Sequence, residues 1–135
     1  MREIRFRAWD KKEKKMYQWP FIIHHWDNEI RVNAGKKGYT QIPMEDIELM
    51  QFIGLKDIND KEIYEGDVTL AKRSDMSYVV VFFNGTFGFT PTNQWSENKP
   101  IMIPFVHFFE GEHGAIGLGE AEVIGNIYEN PELLK

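Results

Sequence analysis

The sequence predicts an all-β fold in which eight or nine short antiparallel strands form a barrel or a sandwich. Apolar and polar residues alternate at a period of two along much of the chain, which is typical of half-buried strands. Clusters of Gly, Pro, Asn and Asp interrupt this alternation at regular intervals. No stretch of ten or more residues has the apolar spacing of a helix. The main alternative is an α+β fold with a helix near Pro43–Leu49 or Ile101–Phe109.

The first part of the chain contains five candidate strands. In the segment 3–9, Ile4, Phe6 and Ala8 fall on one face, while Arg5 and Arg7 fall on the other. Polar or Pro-containing connections separate the next candidates, which are Met16–Trp19, Phe21–Trp26, Glu29–Asn33 and Tyr39–Ile42. A single helical turn is predicted at Pro43–Asp46, since Pro is favoured at the first helical position.

The middle of the chain continues the pattern. Glu48–Ile53 has apolar residues on both faces and is predicted as an interior strand that ends at Gly54. Lys56–Asp60 has the composition of a turn. Gly66-Asp67 forms a second break, after which Val68–Ala71 is predicted as a strand.

A hairpin and a final strand complete the prediction. Asn84-Gly85 separates Tyr78–Phe83 from Thr86–Thr90 and favours a type I′ turn, because both central residues of that turn need positive φ. Ala121–Tyr128 is the last candidate strand. Asn130 and Pro131 are then predicted as the cap and the first residue of a helical turn.

Composition excludes several classes of chemistry. The chain has 135 residues, a length that predicts one domain over residues 1–135, and it is 42% apolar. It contains no cysteine, which excludes disulfides, iron–sulfur clusters and thiol nucleophiles. Its N-terminal residues lack the apolar segment of a signal peptide, and its longest nearly apolar run, Ile101–Phe109, is too short to cross a bilayer. A soluble cytoplasmic protein is therefore expected.

Charge is distributed unevenly along the chain. The formal net charge is −5, yet residues 1–37 carry ten basic and five acidic residues, a net of +5, and the remainder carries −10. Such asymmetry can mark an interaction surface. We favour the other interpretation, in which the two segments attract each other within one fold.

Three segments of the chain form a set of motifs: RFRAWD at 5–10, LMQFIGLKD at 49–57 continuing to KEIYEGDV at 61–68, and VIGNIYENP at 123–131. Together they resemble the YopX family of phage and prophage proteins, whose function is unknown. The resemblance implies a mostly-β fold and a bacterial or phage origin, and it supplies no catalytic residue. Ile53 and Asp60 depart from the family pattern, and Asp60 is expected to tolerate the turn that Gly makes there.

The residues that carry this resemblance are predicted to be structural. In particular, Gly66 is expected to make a tight turn that Asp67 fixes by accepting backbone amides. Acid–base work by Glu62, Glu65 and Asp67 is the less favoured interpretation. The full set of motif residues is Gly54, Leu55, Asp57, Tyr64, Gly66, Asp67, Gly125, Asn126 and Tyr128.

Metal and phosphate sites have weak support. The loop that begins at Asp57 fails as a calcium site, because it has Glu62 where Gly is needed and Val68 where a bidentate Glu is needed. Gly114–Gly119 has the reverse order of a dinucleotide-binding loop. His24 and His25 are adjacent and would face opposite ways on a strand. A further group of possible ligands is His107, Glu110, Glu112 and His113. No cofactor is predicted.

The N-terminal segment 1–37 also suggests a nucleic-acid surface. Arg5, Arg7 and Trp9 share one parity, so they could contact a phosphate backbone and stack a base. The alternative is a basic edge strand that resists pairing.

Our leading prediction is a non-catalytic module that binds a host or phage protein or assembles with itself in the bacterial cytoplasm. Trp9, Trp19 and Trp95 are its candidate exposed aromatics. The two alternatives are a nucleic-acid-binding module and a carboxylate- or metal-dependent hydrolase.

Overall fold

The computed structural model describes residues 3–72, 75–97, 103–104 and 121–134 of the chain. Twelve strands lie in this part, and every strand pair is antiparallel. The longest helical segment among the described residues is the four-residue turn Pro131–Leu134. The predicted all-β class is therefore confirmed. The chain divides into two compact units, Met1–Gln51 and Phe52–Lys135, called here the N-terminal and C-terminal units.

The N-terminal unit contains two small sheets. One has the order β2-β1-β6, with only the first half of β6 taking part, and the other has the order β3-β4-β5. The strands are β1 Phe6–Asp10, β2 Lys15–Tyr17, β3 Ile22–His24, β4 Glu29–Asn33, β5 Tyr39–Pro43 and β6 Ile47–Lys56.

The period of two determines which side chains form the core of this unit. Ile30 and Val32 alternate with polar residues on β4, and Ile42 is opposite Ile30 on β5. These side chains are buried together with Ala8 of β1 and Ile47 of β6. Burial of a large aliphatic side chain contributes about 1.5–3 kcal/mol. This cluster is therefore the main source of stability in the N-terminal unit.

The C-terminal unit contains a five-stranded sheet. Its order is β11-β10-β9-β8-β12, and the second half of β6 pairs separately with β7. The strands are β7 Glu62–Tyr64, β8 Asp67–Ala71, β9 Met76–Phe83, β10 Thr86–Pro91, β11 Ile103–Pro104 and β12 Ala121–Asn126.

The β9–β10 hairpin has the predicted turn. Asn84 and Gly85 have φ values of 51° and 78°, and Phe83 pairs with Thr86 across them. Away from its tip, this hairpin has buried side chains on both faces. Val80 and Phe89 belong to one apolar cluster, and Val79 belongs to another on the opposite side.

Helical structure is limited to short turns in the described residues. Met44–Asp46 forms one 3-10 turn, and β6 begins directly after it, so the proposed helix at Pro43–Leu49 is absent. Within Ile101–Phe109 the structure describes Ile103–Pro104 alone, as a strand, and the remaining positions lie outside the described residues. No helix in the described segments is both long and apolar enough to cross a membrane.

The strand prediction was wrong in detail at several positions, of which β6 and β7 matter most for the site. β6 does not end at Gly54 but continues to Lys56, because Gly54 adopts a φ of 90° where the pairing with β7 is irregular. Gly in a strand often marks such a bulge. β7 was not predicted, since three residues are too short to show a period.

Candidate functional site

Asp57 organises the turn between β6 and β7. Its Oδ1 accepts the backbone N–H groups of Asn59 at 2.8 Å and Lys61 at 2.9 Å. Its Oδ2 accepts the N–H of Val123 in β12 at 2.8 Å. Asp60 has a φ of 64°, so it takes the left-handed conformation expected where the family has Gly. One buried carboxylate thus holds a local turn and joins it to a distant strand.

These contacts lower the pKa of Asp57. Burial by itself would raise it, but the backbone hydrogen bonds from Val123, Lys61 and Asn59, together with the positive charge of Lys61, outweigh that effect. The carboxylate is therefore kept ionised, and it accepts hydrogen bonds in that form.

The segment from Tyr64 to Asp67 is a second turn of the same kind. Gly66 has a φ of 85°, and the buried Asp67 accepts the N–H of Tyr64 at 2.8 Å. The Gly66 backbone donates to Val80 at 2.8 Å and accepts from Ile127 at 2.9 Å. The tight turn and the amide acceptance expected of Gly66 and Asp67 are both present.

The motif near the C-terminus packs against this turn. Asn126 pairs with Asp67 across β12 and β8, and its Oδ1 accepts the N–H groups of Tyr128 at 3.0 Å and Glu129 at 2.8 Å. A Cβ on Gly125 would lie 2.5 Å from the Asn130 Oδ1, so no other residue fits without displacement. Residues 52–68 of the second family-like segment and the third segment, 123–131, therefore meet in the C-terminal unit. The pairing of Asn126 with Asp67 could not be predicted from the spacing of residues in the sequence.

Carboxylates in this region are occupied by hydrogen bonds. Glu62 accepts the Tyr64 hydroxyl at 3.2 Å, and Glu65 lies in the turn before β8 rather than on a strand face with Asp67. Within the described residues no three His, Asp or Glu side chains are grouped as metal ligands. His107, Glu110, Glu112, His113 and the Gly114–Gly119 segment lie outside the described residues.

The predicted nucleic-acid face is largely buried. Arg7 is 6% exposed and Trp9 is 7% exposed, so their predicted accessibility was wrong. The reason is that β1 is flanked by β2 and β6, and its last four residues are all buried. Arg5 is half-buried and forms an ion pair with Glu3 at 2.9 Å. A period of two identifies which residues share a face, but it does not show whether that face meets solvent.

The basic turn after β1 is partly neutralised. Lys11 lies 3.5 Å from Glu48, and Lys12 lies 3.2 Å from Asp46. The Lys15 ammonium lies 5.0 Å from the centre of the Tyr17 ring. Much of the positive charge counted in the first 37 residues is therefore already compensated within the N-terminal unit.

Trp26 is the most exposed aromatic side chain among the described residues, and the sequence analysis did not single it out. Trp26 is 98% exposed, whereas Trp19 is 37% exposed and Trp95 is half-buried against the cluster that contains Val79. The apolar run predicts a strand over 21–26 that would include Trp26, but β3 ends at His24. The Asp27-Asn28 turn signal directly after Trp26 could have placed it at the tip.

Comparison with known proteins identifies the family. No curated protein matches the chain. The solved structure of protein EF1440 from Enterococcus faecalis is similar, with a TM-score of 0.62 and 22% identity over 100% of both chains. Protein yopX from Bacillus subtilis is also similar, with a TM-score of 0.57 and 20% identity over 100% of both chains. The YopX protein family model matches residues 5–135, so the chain belongs to the YopX family.

Proposed function

We propose that this protein is a non-catalytic module of phage or prophage origin that binds a host or phage protein in the bacterial cytoplasm. The observation that carries the proposal is the exposed apolar surface of the β3-β4-β5 sheet. Trp26 at its β3–β4 turn is 98% exposed, and Ile22 on its outer face is 46% exposed. Aromatic anchors of this kind dominate the energy of many protein interfaces.

The turn that presents Trp26 is held in place before any partner binds. Arg31 donates to Asp27 at 3.2 Å and to Glu29 at 3.0 Å. The His24 Nδ1 lies 3.3 Å from the same Asp27 carboxylate. Side chains that are ordered in advance lose less entropy when they bind. Asp27 directly follows Trp26 in the chain, and protein interfaces commonly have a polar rim around their apolar anchors.

The hydrogen bonds of Asp57 and Asp67 favour a binding function over a catalytic one. Asp57 and Asp67 both accept backbone amides, and such bonds hold turns rather than prepare a group for proton transfer. A general base needs to reach a substrate proton. A hydrolase built on these two carboxylates would have to break the turns that they organise.

The test compares proteins captured from host lysate by the wild type, Trp26→Ala and a control variant, Phe82→Ala. Phe82 is an exposed aromatic side chain of the C-terminal unit and serves as the matched control. We expect at least one protein to be retained by the wild type and by Phe82→Ala but lost with Trp26→Ala. With that protein purified, Trp26→Ala is expected to raise the Kd about tenfold or more, as removal of an interface anchor does.

Two results would contradict the proposal. One is capture of the same proteins by all three variants, which would show that Trp26 has no part in binding. The other is an empty capture with the wild type across several hosts.

A further inference from the structure

Among the described residues, the outer edge of β5 carries backbone groups without a ladder partner, and the β4–β5 ladder identifies them. The Ala34 N–H donates to the Gly38 C=O at 2.7 Å, and the Met44 N–H donates to the Asn28 C=O at 2.9 Å. These two pairs directly follow the last paired residues at each end of the β4–β5 ladder. Opposite residues of an antiparallel ladder alternate between hydrogen-bonded and non-hydrogen-bonded pairs. Thr40 and Ile42 therefore bond to β4. The N–H groups of Tyr39 and Gln41, and the C=O groups of Tyr39, Gln41 and Pro43, point away from it.

This edge is accessible and carries no charged side chain. Tyr39 is 65% exposed, and Thr40, Gln41 and Pro43 are exposed as well. Among the described residues no strand pairs with β5 other than β4. Natural proteins usually place Lys or another charge on a free edge strand, but β5 has none. Pro43 occupies an outward position, where its missing N–H costs no ladder bond.

We propose that β5 pairs antiparallel with β5 of a second copy of this chain, about a two-fold axis at Gln41. In this register the N–H of each Gln41 meets the C=O of the other Gln41. The N–H of each Tyr39 meets the C=O of Pro43 in the second copy. All four outward donors of the two strands are then satisfied, and the Tyr39 and Pro43 side chains lie side by side.

Charge complementarity supports a second copy as the occupant. The same axis brings the turn that carries Lys37 beside the turn that carries Glu45 of the second copy. Lys36, Lys37 and Glu45 are exposed, and within the described residues no ion pair joins them to another side chain. Antiparallel pairing brings the basic turn at one end of β5 beside the acidic turn at its other end, whereas parallel pairing would place like charges together. A two-fold contact closes on itself, so it gives a dimer rather than a fibre.

The first experiment measures the oligomeric state by analytical ultracentrifugation between about 1 μM and 1 mM, the range in which weak specific interfaces form. We expect the wild type to shift from monomer to dimer within this range. Gln41→Pro removes an outward donor without removing a bond to β4, so it is expected to weaken dimerisation about tenfold or more. Gln41→Thr keeps the donor and is the matched control, expected to dimerise as the wild type does. Circular dichroism establishes that each variant is folded.

The second experiment exchanges the charges. Lys37→Glu and Glu45→Lys each bring like charges into neighbouring turns and are expected to weaken the dimer, while the double variant is expected to restore it. A wild type that stays monomeric up to about 1 mM, or a folded Gln41→Pro variant that dimerises normally, would overturn the proposal. A double variant that fails to recover would overturn the register.

Trp26→Ala separates this proposal from the proposed function. Trp26 lies at the β3–β4 turn and not on the β5 edge, so this variant is expected to dimerise normally even where it loses a captured protein. Dimerisation that depends on Trp26 but not on Gln41 would show that the copies associate through the outer face instead.

Discussion

Asp57 shows how much one side chain does in this fold. Its two carboxylate oxygens accept three backbone amides, and one of those donors, Val123, is 66 positions away along the chain. A buried amide that loses its acceptor costs about 1–3 kcal/mol. The Asp57 carboxylate is therefore a major contributor to the order of the C-terminal unit.

Asp57→Asn is expected to lower the free energy of unfolding by about 2 kcal/mol, because an amide replaces one acceptor oxygen with a donor group. Urea unfolding measures the loss. Asp60→Asn is the matched control, since Asp60 is exposed and Asn also tolerates its φ of 64°. Equal stability of Asp57→Asn and Asp60→Asn would contradict the assigned role of the carboxylate.

The pH dependence of unfolding gives a second readout of the same variant. The folded-state pKa of Asp57 lies below its ordinary value of 3.8, so its contribution to stability is present above pH 3.8 and is lost as the pH falls through the folded-state pKa. The wild type is expected to lose stability more steeply on acidification below this point than Asp57→Asn does. Parallel pH profiles for the two proteins would count against the lowered pKa.

At the scale of elements, the conformations of turns were easier to predict than the neighbours and the burial of strands. The Asn84-Gly85 hairpin and the left-handed conformation of Asp60 follow from local backbone chemistry, and both are present. The bounds of β4 match the prediction because its alternation is complete. β1 was predicted equally well as a strand, but its position between β2 and β6, which buries Arg7 and Trp9, depends on partners distant in sequence.

The β9–β10 hairpin offers a test at this scale. Gly85→Ala places a side chain at a φ of 78° and is expected to destabilise the protein by about 1 kcal/mol. Asn84→Gly, at a φ of 51°, is the matched control and is expected to change stability by only a few tenths of a kcal/mol. Thermal unfolding of both variants measures the difference, and a neutral Gly85→Ala would contradict the turn assignment.

For the molecule as a whole, charge is less polarised than the first count indicated. The N-terminal unit carries ten basic and eight acidic residues, a net of +2, and the C-terminal unit carries six and thirteen, a net of −7. The acidic residues 45, 46 and 48 account for the change from +5, and two of them form ion pairs with Lys11 and Lys12. The basic segment is therefore not an isolated cationic arm.

We accordingly expect no binding to single-stranded DNA or RNA in fluorescence anisotropy at about 50 mM salt, where phosphate contacts are strong. Arg7 and Trp9 are too buried to reach a nucleic acid, and the net charge of −5 opposes approach. Titration with added salt is the control, because genuine phosphate contacts weaken steeply as salt rises. Salt-sensitive binding that is lost in Lys14→Glu would contradict this expectation.

The sequence by itself determined the all-β class, most strand positions, the turns with positive φ and membership of the YopX family. These depend on residue type and local spacing, which are fully present in the chain. Tertiary structure alone decided that Trp26 is exposed while Trp9 is buried, and that Asp57 reaches Val123. It also decided that, among the described strands, β5 pairs with β4 alone. The physical reason is that burial and strand pairing depend on which distant segments lie alongside, and a period of two leaves that choice open.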